Sequence, residues 1–158
     1  MAKLPAFDDL LKAYPNLPLA EVKTLIGARV DADWVTNACT LRVSRSLNYA
    51  GAKVPFIKDD EGQQTLKGAD GLWYLYRVRK LQAYLTATYG KADVTALGKA
   101  GEGVKPDAFL NAKGIIGMRV PIWSDATGHF TLWDGRAFAD GHYDYLKDST
   151  EVWLWKAG

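Results

Sequence analysis

Residues 36–50 read Thr-Asn-Ala-Cys-Thr-Leu-Arg-Val-Ser-Arg-Ser-Leu-Asn-Tyr-Ala. Thr36 or Asn37 suits the N-cap of a helix, because a short polar side chain there accepts a hydrogen bond from a free N–H of the first turn. Cys39, Val43, Leu47 and Ala50 then share one helical face. Gly51 is a C-terminal stop and Pro55 bars continuation. Cys39, the chain's one cysteine, thus falls in the first turn of the expected helix. The partial positive charge at a helix start lowers a thiol's pKa, and the thiolate is the nucleophilic form. The backbone N–H of Cys39 counts among the free donors of that turn, so it could also hold an oxyanion. The competing reading is an inert, buried thiol, the usual state of a free cysteine.

Outward from this helix the chain divides in two. On the N-terminal side, Leu10, Leu11 and Tyr14 have helical spacing, Pro15 and Pro18 interrupt it, and 19–25 reads as a second short helix. On the C-terminal side, 58–71 is polar and glycine-bearing and reads as a loop. Asp70 is placed to cap a third helix reaching about Tyr89, with Leu75, Val78, Leu81 and Leu85 inward and Gly90 at its end. A loop follows over 98–107. Strands are expected at 114–120, 128–133, 136–140 and 151–155, with Asp134-Gly135 as a hairpin turn. Helices first and antiparallel strands later predict an α+β domain with the nucleophile helix packed on the sheet.

Two histidines occur, His129 and His142. If Asp134-Gly135 is a two-residue loop, Trp133 faces Arg136, Thr131 faces Phe138 and His129 faces Asp140. Opposed residues project on the same side of an antiparallel pair. A carboxylate beside an imidazole fixes its tautomer and stabilises the imidazolium. His129 and Asp140 are therefore the candidate base and orienting acid, conditional on the register. Asp134 is the rival acid but sits in the turn, and His142 is less well placed. A half-buried structural histidine is the competing reading. Nucleophile on a helix, base on a later strand and orienter on the next is similar to the papain-type chain order. One Cys and two His without close spacing make a zinc site a poor fit, and no cofactor is expected.

Composition sets the outer limits. The 158 residues suit one domain spanning 1–158, and 48% apolar with 24% charged residues is an ordinary globular balance. A net charge of +2 without a dense basic block does not point to nucleic acid. One cysteine excludes an internal disulfide. No run approaches the roughly 20 apolar residues of a membrane helix. Charges at Lys3, Asp8, Asp9 and Lys12 break up any secretory leader. The expectation is a product made in the cytoplasm without a signal peptide and not inserted into a membrane.

Six tryptophans are many for this length, and most are expected in the core, as for Trp153 and Trp155. Trp34, Trp123 and Trp133 flank the candidate catalytic residues and could wall a groove for a glycopeptide. Candidate substrate contacts are Trp34, Asn37, Trp123 and Gly128. Arg42 and Arg77 could bind a carboxylate, although a solvated or paired charge is the commoner state.

Three segments carry a family resemblance: Asn37-Ala-Cys-Thr-Leu-Arg-Val-Ser-Arg-Ser-Leu-Asn48 with Gly51 and Pro55; Gly68-Ala-Asp-Gly-Leu-Trp-Tyr-Leu-Tyr-Arg-Val78; and Trp123-Ser-Asp-Ala-Thr-Gly-His-Phe-Thr-Leu-Trp-Asp-Gly135, preceded by Gly114-Ile-Ile116. In this order they resemble the fourth family of type VI secretion amidase effectors, over about residue 20 to Trp155. The resemblance implies a papain-like fold similar to NlpC-type cell-wall peptidases. It implies cleavage of the bond between D-glutamate and meso-diaminopimelate in peptidoglycan stems by a triad mapping onto Cys39, His129 and Asp140. It further implies delivery by the type VI secretion apparatus into the periplasm of rival bacteria, and a periplasmic immunity protein that plugs the site. Some members carry two cysteines flanking the triad aspartate; the corresponding positions here look like Phe138 and His142. A catalytically idle cell-wall or glycan-binding module of the same fold, or acyl transfer to an amine, would fit the same residues.

Overall fold

The computed structural model describes residues 1–99, 101–121, 128–141 and 143–158, with backbone alone at 143 and 144. Helix α1 (Phe7–Ala13) carries Asp8 and Asp9 in its first turn and Lys12 in its last, each matched to the helix dipole. Helix α2 (Leu19–Ile26) stops at Gly27, whose φ of 73° suits a residue without a Cβ. Helix α3 (Ala38–Tyr49) follows after a short 3-10 turn at Ala28–Asp31. Strands β1 (Lys58–Asp59), β2 (Gly62–Gln63), β3 (Thr65–Lys67) and β4 (Trp73–Leu75) form two small antiparallel hairpins. Helix α4 (Val78–Tyr89) ends at Gly90, where φ is 87°. Strands β5 (Val94–Leu97), β6 (Gly114–Arg119), β7 (Gly128–Trp133) and β8 (Glu151–Lys156) make one antiparallel sheet in the order β5-β8-β6-β7. The result is a mixed α+β architecture. No helix among the described residues is long and apolar enough to cross a membrane.

Helix α3 packs on α1, β4 and β7. Its apolar stripe of Cys39, Val43 and Leu47 is buried with Leu81 and Leu85 of α4 and with Phe130, Leu132, Trp153 and Trp155 of the sheet. Each fully buried leucine contributes roughly 1.5–3 kcal/mol relative to exposure. Gly117 makes one close approach possible: a Cβ there would stand 2.3 Å from the Phe130 ring. The second sheet face is covered by Val104, Phe109, Phe138 and Leu146. Trp133, Trp153 and Trp155 are all core residues.

Three expectations need correction, and one strand was not foreseen. The polar stretch 58–71 is not one loop: three short strands lie in it. The third helix starts at Val78, not near Asp70, because 73–75 pairs with 65–67 and the Leu75 N–H donates to Ser44 Oγ at 3.0 Å. Pairing partners supplied by the rest of the fold override the helical spacing of Leu75. The Asp70 carboxylate instead accepts from Tyr49 Oη, Tyr74 Oη and the Leu72 N–H. Burial works against its charge, yet these donors hold its pKa below the usual carboxylate range. Strand β5 went unforeseen, with alternating half-buried and exposed residues beside β8. Finally, 136–140 does not form a returning strand. It makes a single bridge, Trp133 with Phe138.

Candidate active site

The site begins with the Asn37 cap. Its extended backbone (φ −113°, ψ 109°) turns the chain into α3, and its Oδ1 accepts the Cys39 N–H at 3.0 Å. Cys39 is thereby set in the first turn, buried at the junction with β7. One expectation changes: the Cys39 N–H is engaged by the cap and is not a free oxyanion donor. Asn37 serves the helix first.

His129 is the second residue of β7, 8% exposed, opposite Met118 of β6. Its Nε2 lies 2.5 Å from Asp140 Oδ2. Cys39 stands close enough to the same imidazole to act on its pKa. Burial by itself depresses the imidazole pKa. The hydrogen bonds to Asp140 and Cys39, and their charges, outweigh it and carry the pKa up to about 9. The surroundings of His129 thus favour its imidazolium form. The structure therefore brings Cys39, His129 and Asp140 together.

The route to the His129–Asp140 contact differs from the two-residue hairpin. Asp134 Oδ1 accepts the N–H groups of Arg136 and Ala137 at 2.8 and 2.7 Å, and Gly135 has φ 101°. These bonds build a longer turn over 134–137. Trp133 consequently faces Phe138 and not Arg136, and the Ala139 N–H donates to the Leu132 carbonyl. Beyond Phe138 the chain turns again, with Gly141 N–H on the Phe138 carbonyl. Asp140 projects from that turn, its side chain 2% exposed, and reaches His129 diagonally. Asp134, the rival acid, is occupied by its own turn.

Two tyrosines belong to the site and were not singled out as site residues. The Tyr145 ring lies 4.4 Å from the His129 ring, tilted 48°. It also stacks at 6.5 Å on Phe138, which meets Trp133 edge-on at 5.2 Å. Tyr14 hydrogen-bonds Thr131 Oγ1 at 3.0 Å, two residues along β7 from His129. Burial, and secondarily the Asp140 charge, pushes its phenol up to about 12. Helical spacing marked Tyr14 as an inward residue, but nothing local tells where its hydroxyl goes. Tyr145 lies in a 3-10 segment (Tyr143–Asp148) without a period to read.

The other candidates divide. Trp34 is 56% exposed on the loop before α3 and stands edge-on to Tyr76 at 5.3 Å. A Cβ on Gly128 would come 2.3 Å from the Met118 carbonyl oxygen, so that glycine permits the close pairing of β6 and β7. Trp133 is core, its indole N–H on the Phe109 carbonyl. Arg42 donates twice to the Leu17 carbonyl, and Arg77 to Gln64 Oε1 while lying over the Tyr76 ring. Trp123 and His142 lie outside the described residues.

Known proteins sharpen this picture. The family described as type VI secretion system amidase effector protein 4, Tae4, matches residues 35–155. The crystal structure of the type VI effector Tae4 from Enterobacter cloacae is 31% identical, covers 100% of both chains and superposes with a TM-score of 0.84. Tae4 in the effector–immunity complex Tae4–Tai4 from Salmonella Typhimurium is 30% identical, covering 98% of this chain and 99% of that one, with a TM-score of 0.82. The Enterobacter cloacae Tae4–Tai4 complex gives the same values. No curated protein matches the sequence. By its match over most of its length and by its fold, the chain belongs to the type VI secretion system amidase effector 4 family.

Proposed function

We propose that residues 1–158 form a single papain-like, NlpC-type cysteine amidase that hydrolyses the γ-D-glutamyl–meso-diaminopimelate bond of peptidoglycan. One observation carries this reading: a thiol in the first turn of a helix lies beside an imidazole that a buried carboxylate holds through Nε2. That is the arrangement covalent acyl transfer needs. Membership in an amidase effector family supports amide-bond hydrolysis.

In this mechanism the Cys39 thiolate attacks the γ-glutamyl carbonyl. For the Cys39 N–H to serve the tetrahedral oxyanion, the Asn37 side chain must release it. The His129 imidazolium protonates the departing diaminopimelate amine as the C–N bond breaks, leaving a thioester. Neutral His129 then takes a proton from water, which attacks the thioester; the Cys39 thiolate leaves, the D-glutamyl carboxylic acid gives its proton to solvent, and the thiolate–imidazolium pair is restored. Asp140 orients His129 and balances its charge throughout. The chain acts in this reading as an antibacterial effector, delivered by a type VI apparatus into the target periplasm and neutralised in the producer by an immunity protein that covers the site. The relatives solved with Tai4 support that partner class.

The test is incubation of the protein and a Cys39→Ala variant with sacculi and defined muropeptides, read by mass spectrometry. A new D-glutamate carboxylate and a free diaminopimelate amine, absent with the variant, are expected. Intact muropeptides across pH under reducing conditions would make the chain an idle binding module. Products joined to an added amine would make it a transferase.

A further inference from the structure

Next to the cluster lies a cleft of about 360 Å³ that the mechanism above does not use. Val78 and Gln82 of α4, Met118 and Arg119 at the end of β6, and Trp153 of β8 line it. Strand register ties it to the site: Met118 opposes His129, and Arg119 opposes Gly128. A Cβ on Gly128 would stand 3.3 Å from Val78 Cγ1. Val78 and Trp153 share one packed cluster with Cys39. Side chains alternate along the strands, so Arg119 and Trp153 lie on the face opposite Met118 and His129; the cleft sits at the same end of the sheet as His129, on the face that carries Val78 and the Cys39 cluster.

Its chemistry is apolar below and cationic at the rim. Val78, Met118 and Trp153 are buried apolar residues. Of the two guanidiniums at the edge, Arg79 is neutralised by Glu61 through contacts of 3.0 and 3.1 Å. Arg119 is exposed and makes no ion pair among the described residues. Its neighbour across on β8, Glu151, accepts the Trp153 indole N–H at 2.9 Å. An aliphatic chain ending in a carboxylate matches an apolar floor with an arginine above it that is in no direct ion pair, since a guanidinium binds a carboxylate through two parallel N–H donors.

We propose that this cleft seats the stem peptide beside the scissile bond, with Arg119 binding a free stem carboxylate. This rests on the function proposed above. Two groups carry that chemistry: the α-carboxylate that a γ-linked D-glutamate leaves free, and the carboxylate at the far centre of diaminopimelate.

The experiment uses three muropeptides: both carboxylates free, the D-glutamate α-carboxylate amidated, and the diaminopimelate carboxylate amidated. Amidating the recognised group should lower wild-type kcat/KM about 10- to 100-fold, the size of a charge-assisted hydrogen bond. Arg119→Ala should show the same loss on the free substrate, chiefly in KM, and no further loss on that amidated form. Arg119→Lys should fall between. Thermal unfolding checks that both variants fold. The amidated substrate that stops mattering identifies the carboxylate. Arg119→Ala activity within about twofold of wild type, or losses from substitution and amidation that multiply, would overturn the proposal. A wild-type protein inactive on all three would instead sink the amidase reading itself, and this one with it.

Discussion

Asp140 meets His129 on a diagonal: the bridge at Trp133 and Phe138 sets the register, and Asp140 reaches back toward the start of β7 from a turn closed by Gly141. The contact depends on that turn rather than on a strand ladder. Asp140→Asn keeps the shape but removes the charge that holds the imidazolium and its tautomer. It should lower kcat by about 10² or more, within the range of lost acid–base and tautomer control. Muropeptide turnover checks this; an unchanged rate would take the orienting task away from Asp140.

The pH dependence has a definite sign. Folding raises the His129 pKa from its ordinary 6.5 to about 9, against the depressing effect of burial. A raised histidine stabilises the fold fully below about pH 6.5 and loses that contribution as pH climbs through about 9. Urea unfolding at pH 6 and at pH 9.5 should show a decline that a His129→Gln variant lacks. Activity that needs the imidazolium should fall over the same upper range.

Asn37 offers a test of what the cap does. Asn37→Ala removes the acceptor for the Cys39 N–H and should cost about 1 kcal/mol of stability. It also frees that N–H for an oxyanion, so kcat/KM should change by no more than a few-fold. Chemical denaturation and muropeptide kinetics read the two separately. A hundredfold drop in a folded variant would mean that the Asn37 carboxamide itself contacts the substrate.

Phe138 is buried between Trp133 and Tyr145, just before the turn that bears Asp140. Phe138→Ala should destabilise the protein by about 3–5 kcal/mol, the usual result for a buried phenylalanine. With Asp140 less firmly held, the His129 pKa should move down toward 6.5. Imidazole titration by NMR measures this, and a pKa still near 9 would show that the turn holds without the aromatic stack.

Legibility in the sequence followed how local the information was. The N-cap at Thr36 or Asn37, the stripe through Cys39 and Leu47, and the strands at 114–120 and 128–133 are set by near neighbours, and each was readable from spacing to within a residue. The His129–Asp140 pair was named through a hairpin that the molecule does not form. The Asp134 side chain stabilises a longer turn, a choice that the Asp-Gly pair alone does not reveal. Strand β4 and the late start of α4 depend on β3 and Ser44, partners distant in sequence. Tyr14 and Tyr145 act across the fold, through a hydroxyl on Thr131 and a ring against His129, and no local pattern encodes those meetings.

Cys39 lies in the first third of the chain, while His129 and Asp140 lie in the last, and the docking of α3 against β7 joins them. A chain that is nascent, threaded in extended form or cut before β7 holds a thiol with no base to activate it. In the proposed mechanism, completing the tertiary fold is the step that brings a base to the thiol.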